Sequence, residues 1–171
     1  MPSLVERLAS YAEYHRDKRN IATHFVGIPM ILVGTQATLA KIGIGPFNLA
    51  VGATALATRY YRELDPTYGA AMAAVLGATA AMGTTIAALP APLWAPAAAG
   101  LFVGGWALQF LGHYFEGRKP AFLDDIKGLL DGPLFLVAEV AFALGLSPEL
   151  RKEVEDRAGP TRWGKLAPVA A

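Results

Sequence analysis

The chain alternates between short charged segments and long stretches that carry no charge. The longest stretch, Pro66 to Phe115, holds fifty residues without Asp, Glu, Lys or Arg. A spanning helix needs about 20 apolar residues to cross a hydrocarbon core of about 30 Å. Two helices and a turn therefore fit. The turn is written into Leu89–Pro96, where Pro90, Pro92 and Pro96 stop one helix and start the next. The pattern predicts a transmembrane hairpin, Tyr68–Leu89 then Ala97–Phe115, with Trp94 at the interface. Asn20–Ala40, also uncharged, predicts a further spanning helix. Ile42–Thr58 is a third uncharged stretch, short for a span at seventeen residues and opened by Gly43, Gly45 and Pro46. Phe135–Leu146 is apolar apart from Glu139 and equally marginal, suiting a re-entrant or surface-lying helix. Ahead of all these, Leu4, Leu8, Tyr11, Ala12 and His15 recur at three- and four-residue spacing, which marks an amphipathic helix within Met1–Arg19. Behind them, Pro148–Arg157 reads as a short charged helix capped by Ser147, with Glu149 in its first turn. A loose end rich in Pro, Gly and Ala follows.

The expected fold is all-α, a polytopic membrane helical bundle with about four to five hydrophobic helices. An N-terminal amphipathic segment (1–19) leads into a transmembrane helical domain (20–146), and a charged, partly loose tail (147–171) follows. Composition sharpens this picture. Hydrophobic residues make up 54% and charged residues 17%, against roughly 25% charged in soluble domains, and the mean hydropathy is +0.36. A disordered chain is excluded. A net charge of +1 with no basic run excludes a nucleic-acid partner. With no cysteine there is no disulfide, thiolate metal site or cysteine nucleophile. Residues 1–19 are too charged for a signal peptide and lack an apolar core. Small residues between Ala98 and Gly105 allow close helix packing in lipid and leave a homo-oligomer open.

Threading these helices through a bilayer gathers most Lys and Arg on the side where the chain starts, which the positive-inside rule places in the cytoplasm. It also brings all three histidines, His15, His24 and His113, to that one interface. Asn20 and His24 lie four apart on one helix face, and Gln109, His113 and Glu116 share another. Imidazole and carboxylate ligands suit iron or zinc, and two histidines with one carboxylate suit a non-haem Fe(II) oxygenase. Glu116 reads as a ligand, as an acceptor for a histidine N–H, or as a salt-bridge partner of Arg118 or Lys119. Asn20 and Gln109 either orient ligands and substrate or cap and bridge helices. Arg118 either grips a substrate carboxylate bidentately or anchors the interface. Tyr14 and Trp106 suit an acyl pocket or an interfacial belt. Asp124, Asp125 and Asp131 read as a solvated loop group. Glu139 has to face protein, because exposure to lipid costs ~2.5–3.5 kcal/mol on insertion scales.

Two motifs are familiar. Tyr14-His15-x4-Asn20-x3-His24-x2-Gly27-x-Pro29 resembles the opening motif of the Mpo1-like membrane proteins. Trp106, Gln109, Phe110, Gly112, His113 and Phe115, continuing through Glu116, Arg118, Pro120 and Ala121, resemble their second motif. Gly132, Pro133, Phe135 and Glu139 also fit, so the likeness covers about residues 10–146. It implies an Fe(II)-dependent dioxygenase of fatty acid α-oxidation. Such an enzyme converts a long-chain 2-hydroxy fatty acid and O2 to the acid one carbon shorter and CO2, among membrane lipid. The implied iron ligands are His15, His24 and His113, with Glu116 as a fourth ligand or a supporting acceptor. Tyr14, Asn20, Gln109 and Arg118 fall on the substrate side. A 2-hydroxy carboxylate can chelate Fe(II) through its hydroxyl and one carboxylate oxygen, leaving a position for O2 beside three protein ligands. Three histidines are too few for a histidine-rich di-iron cluster, so the implied site is mononuclear. The implied location is a multi-pass integral membrane protein, of the inner membrane in a bacterium or the endoplasmic reticulum in a eukaryote. The competing reading is a non-catalytic lipid-binding or scaffold protein with a structural metal. A small transporter would want more polar residues along Pro66–Phe115 than this chain offers.

Overall fold

The computed structural model describes residues 2–45 and 47–164. Seven α-helices follow in order among them: α1 (Leu4–Ala12), α2 (Lys18–Leu39), α3 (Leu49–Leu64), α4 (Pro66–Ala87), α5 (Ala91–Glu116), α6 (Gly128–Ala143) and α7 (Pro148–Ala158). A two-residue hairpin, β1 (Gly43–Ile44) with β2 (Phe47–Asn48), separates α2 from α3. The chain forms two compact units, one of Met1–Val26 with Leu108–Ala171, the other Gly27–Ala107.

In the second unit, α2 and α5 approach closely. A Cβ added at Gly34 would stand 2.8 Å from the Ala98 carbonyl, and one at Gly105 would stand 2.7 Å from the Gly27 carbonyl. Only hydrogen fits there, which is how small residues let helices pack where lipid supplies no hydrophobic drive. The uncharged stretch after Lys41 does not begin as a helix. Gly43 and Gly45 take positive φ and turn the hairpin, and α3 starts only at Leu49, where the Asn48 side chain accepts from the Val51 N–H. Asp65 caps α4 in the same way through the Tyr68 N–H, with Pro66 in the first turn. α5 begins at Ala91, six residues before the expected start. Pro92 lies in a first turn whose N–H groups have no helical partner anyway, so it is tolerated. Pro96 sits inside the helix.

Three helices, α2, α4 and α5, are long and apolar enough to cross a membrane, and α6 with α7, bent by 119°, would make a fourth if counted as one broken span. α3 is apolar only up to Thr58, carries Arg59, Arg62 and Glu63 in its last turns, and has sixteen residues, about 24 Å at ~1.5 Å per residue, less than the hydrocarbon core. Only 11% of the most apolar window of α5 and 28% of that of α4 are buried. Helices that are apolar all round and still exposed suit lipid rather than water.

In the first unit, Leu8 and Ala12 of α1 are fully buried, along with Leu134, Phe135 and Ala138 of α6 and Val154 of α7. A capping box between Ser3 and Glu6 opens α1. The helix stops at Ala12, short of the amphipathic stretch read from the sequence. The Tyr14 and His15 N–H groups reach back three residues, to the Tyr11 and Ala12 carbonyls, and tighten the chain into a turn. Asp17 then caps α2 by accepting from the Arg19 N–H. Asp131, expected to be solvated, instead pairs with Arg7 at 2.9 Å between α6 and α1, with side chains 12% and 7% exposed. Glu139 faces protein, 3.9 Å from Arg16. The end beyond α7 is not loose as far as it is described. The Arg162 N–H donates to the Arg16 carbonyl at 2.7 Å, and the Lys18 N–H donates to the Arg162 carbonyl at 2.8 Å. The rest of the expected loose tail, 165–171, and Pro46 lie outside the described residues.

Candidate metal centre

Three segments of the first unit converge on the histidines. His15 lies in the turn between α1 and α2, His24 in the second turn of α2, and His113 near the end of α5. Their exposures are 0%, 1% and 6%. Each offers one ring nitrogen, and the three nitrogens lie within 4.8 Å of one another, forming the metal-capable group found among the described residues. The rings stand nearly perpendicular in pairs, at 74°, 71° and 78°, with centroids 4.6–5.2 Å apart.

Hydrogen bonding fixes which nitrogens face inward. His15 Nδ1 lies 2.7 Å from the Tyr11 carbonyl, and His24 Nδ1 lies 2.9 Å from the Asn20 carbonyl. A carbonyl only accepts, so each Nδ1 carries the proton and each Nε2 of a neutral ring presents a lone pair. Those two Nε2 atoms are 3.1 Å apart. Two lone pairs facing each other at that distance repel unless a cation lies between them. Burial and the adjacent imidazoles hold His15 well below the ordinary histidine range, so the neutral ring is the relevant form. Nitrogens bound at about 2.0–2.1 Å to one ion would stand roughly 3.0–3.4 Å apart, and this pair already does. His113 Nδ1 is buried with no hydrogen-bond partner. The donor set, three buried histidines each offering one ring nitrogen to the group, fits a divalent transition-metal ion. Tyr11 stacks on His15 at 4.0 Å and 8°, and Phe135 closes on it at 5.6 Å.

Glu116 lies outside this group. Its Oε2 accepts from the Arg16 N–H (3.0 Å), the Asp17 N–H (2.8 Å) and Asn20 Nδ2 (3.1 Å), and its Oε1 pairs with Arg162 Nη2 at 2.9 Å. The carboxylate is thus spent on donors, and its ion pair is with Arg162 rather than Arg118 or Lys119. The same oxygen ties the turn that carries His15 to α5, which carries His113. Asn20 joins the scheme twice, through its amide to Glu116 and through its carbonyl to His24. Gln109 is 5% exposed with Nε2 unpartnered. Arg118 donates to the Glu13 carbonyl at 2.9 Å and lies 4.0 Å over the Tyr14 ring. It lines a cleft of about 420 Å³ with Arg16, Arg162 and Gly159. Tyr14 donates its hydroxyl to Asp124. Sequence reasoning passed over Asp17, Arg16 and Arg162. An Asp just before an apolar helical run is a legible cap signal. Nothing in the pattern pointed to Arg162.

A family model described as 2-hydroxy-palmitic acid dioxygenase Mpo1-like matches residues 1–144. The 2-hydroxy-palmitic acid dioxygenase MPO1 of Saccharomyces cerevisiae is 28% identical over 155 residues, covering 89% of this chain and 87% of the yeast protein. No solved structure matches. With residues 1–144 matched, and both histidine motifs inside that span, the chain belongs to the Mpo1-like family.

Proposed function

We propose that this chain is an iron-dependent dioxygenase of fatty acid α-oxidation, working in a membrane on long-chain 2-hydroxy fatty acids. In the overall balance the C1–C2 bond breaks and C1 leaves as CO2. C2 becomes the carboxyl carbon of the shorter acid. O2 takes up the four electrons released, and the products balance as the shorter acid, CO2 and one water. The observation that carries this reading is the pair of buried Nε2 lone pairs 3.1 Å apart, with the third histidine in the same group. The likeness to a yeast 2-hydroxy-palmitic acid dioxygenase supplies the substrate class.

His15, His24 and His113 would hold the ion. Iron bound there supplies redox chemistry with O2 and a template for the substrate's hydroxyl and carboxylate. The protein's own part is to fix and dry the site. The Tyr11 and Asn20 carbonyls hold two imidazoles in one tautomer. Phe135 and Tyr11 exclude water around His15. Glu116 acts here as the anchor of the His15 turn, a role its four donors support better than ligation. Gln109 brings an unpaired buried donor. Arg118, on a cleft it lines with Glu13, Arg16 and Arg162, would draw in the anionic head group while the acyl chain stays among apolar helices.

The test is O2 uptake by detergent-purified protein, loaded anaerobically with Fe(II), on adding 2-hydroxypalmitate. The expected result is uptake matched by CO2 and the acid one carbon shorter, lost in His24→Ala. Bound iron without uptake on any 2-hydroxy acid would overturn the substrate. Failure to bind iron at all would overturn the centre and leave the lipid-binding scaffold.

A further inference from the structure

The family match ends at residue 144, yet the chain beyond it returns to the histidine group. After α7 the backbone runs alongside the start of α2, with Asp17 and Arg162 as parallel bridge partners. Two backbone bonds make that bridge and one side-chain bond adds to it. The Arg162 N–H donates to the Arg16 carbonyl, the Lys18 N–H donates to the Arg162 carbonyl, and Arg16 Nη1 donates to the Gly159 carbonyl at 2.7 Å. Its one side chain turned inward to a charge is Arg162, paired with Glu116 at 2.9 Å, with side chains 23% and 2% exposed.

We propose that Arg162 is a positioning residue for the histidine site, acting through Glu116 from a strap beyond the residues the family model matches. This role rests on the metal reading proposed above. Glu116 is one turn from His113, and its other oxygen holds the two N–H groups that follow His15 and the amide of Asn20, whose carbonyl orients His24. One buried carboxylate therefore sets the relative placement of all three histidines. A carboxylate so deeply buried needs a cation beside it, and Arg162 is the cation it pairs with. Without the guanidinium, Glu116 would turn toward water or toward the ion. Either movement releases the Arg16 and Asp17 N–H groups and lets the His15 turn shift.

The variants are Arg162→Ala and Arg162→Lys in the full-length chain, with Lys152→Ala, an exposed charge of α7, as control. Two readouts are needed. One is the affinity for Co(II), a spectroscopic stand-in for Fe(II), from its visible absorption in titrations of the detergent-solubilised protein. The other is hydrogen exchange of the Arg16 and Asp17 amides in the metal-free protein, which needs no ion. Loss of an outer-shell partner costs about 10–100-fold in metal affinity. Arg162→Ala should weaken Co(II) by that factor and speed exchange at those two amides, Arg162→Lys should recover part of both, and Lys152→Ala should change neither. Unchanged exchange and unchanged Co(II) affinity in Arg162→Ala would overturn the positioning role. Wild-type protein that takes up no Co(II) would overturn the metal reading and this role with it, and the exchange data would still say separately whether the strap clamps the turn.

Discussion

Gly112 immediately precedes His113, and its α-hydrogen side faces the first turns of α2. A Cβ built there would overlap Asn20 Oδ1 and Thr23 Oγ1 and come 3.1 Å from His24 Nδ1. Asn20 is the residue whose carbonyl orients His24, accepting from His24 Nδ1 at 2.9 Å and from Thr23 Oγ1 at 2.7 Å. Two effects oppose each other in Gly112→Ala. Alanine is the better helix former by about 1 kcal/mol. One methyl forced into a filled site costs typically 1–3 kcal/mol. Global stability should therefore fall by no more than about 2 kcal/mol. The site should suffer more, because the relief of the clash is a displacement of Asn20 and His24. Metal affinity should drop about 10–100-fold, as when an outer-shell partner is lost. Gly100 and Gly77 provide the contrast. No atom lies within 4 Å of a Cβ at either position, so alanine there keeps the propensity gain and leaves the site alone. The assay is thermal unfolding in detergent together with Co(II) titration for the three variants. If Gly112→Ala melts and binds like Gly100→Ala, the close approach is not what sets the histidine geometry.

Three further outcomes follow from the same structure. Breaking the buried Arg7–Asp131 pair from one side leaves an uncompensated charge, so Arg7→Ala should destabilise by about 3 kcal/mol, with Arg7→Met in an Asp131→Leu background recovering most of it; equal melting of single and double variants would refute the pairing argument. His15 is held neutral by burial and its neighbours, while the unfolded chain takes up a proton near pH 6.5. The metal-free protein should therefore lose stability as pH falls below about 6.5 and gain nothing above it, and a melting temperature identical at pH 7.5 and 5.5 would refute this. Stripping the ion with a chelator should lower the melting temperature of wild type and leave that of His113→Ala where it was, because a ligand that binds only the folded state stabilises it; a fall of equal size in both would show that the chelator acts elsewhere.

Much of the membrane architecture was legible because it rests on one-dimensional signals. Charge-free runs gave α2, α4 and α5, and the proline cluster gave the break between the last two. Errors arose where tertiary partners decide. Pro96 reads as a helix stop, but so near the helix start it is absorbed. Asp131 reads as solvated because its partner, Arg7, is 124 residues away. The three histidines stand out by type and spacing, whereas the hydrogen bonds of His15 and His24 to the Tyr11 and Asn20 carbonyls are backbone geometry that no spacing states. Glu116 shows the limit most clearly. A carboxylate three residues after a histidine is well placed on the helix face to share its ion, and only the fold reveals that two backbone N–H groups, an amide and Arg162 already claim it.

That outcome bears on what the centre can select. The three ligands proposed for it are neutral, so a divalent ion would bring two positive charges into a site whose nearest carboxylate is already bonded to an arginine. The missing negative charge would have to come from what binds next. A long-chain alcohol offers a hydroxyl but no charge. An unhydroxylated fatty acid offers charge, but its two carboxylate oxygens close only a strained four-membered chelate. A 2-hydroxy acid offers both in a five-membered chelate, so charge balance and chelation pick out the same head group. An aspartate or glutamate in the ligand set would have met part of that demand in advance and weakened the preference. On this reading Glu116 serves selectivity by being held away from the ion, which is what Arg162 and the Arg16 and Asp17 N–H groups accomplish.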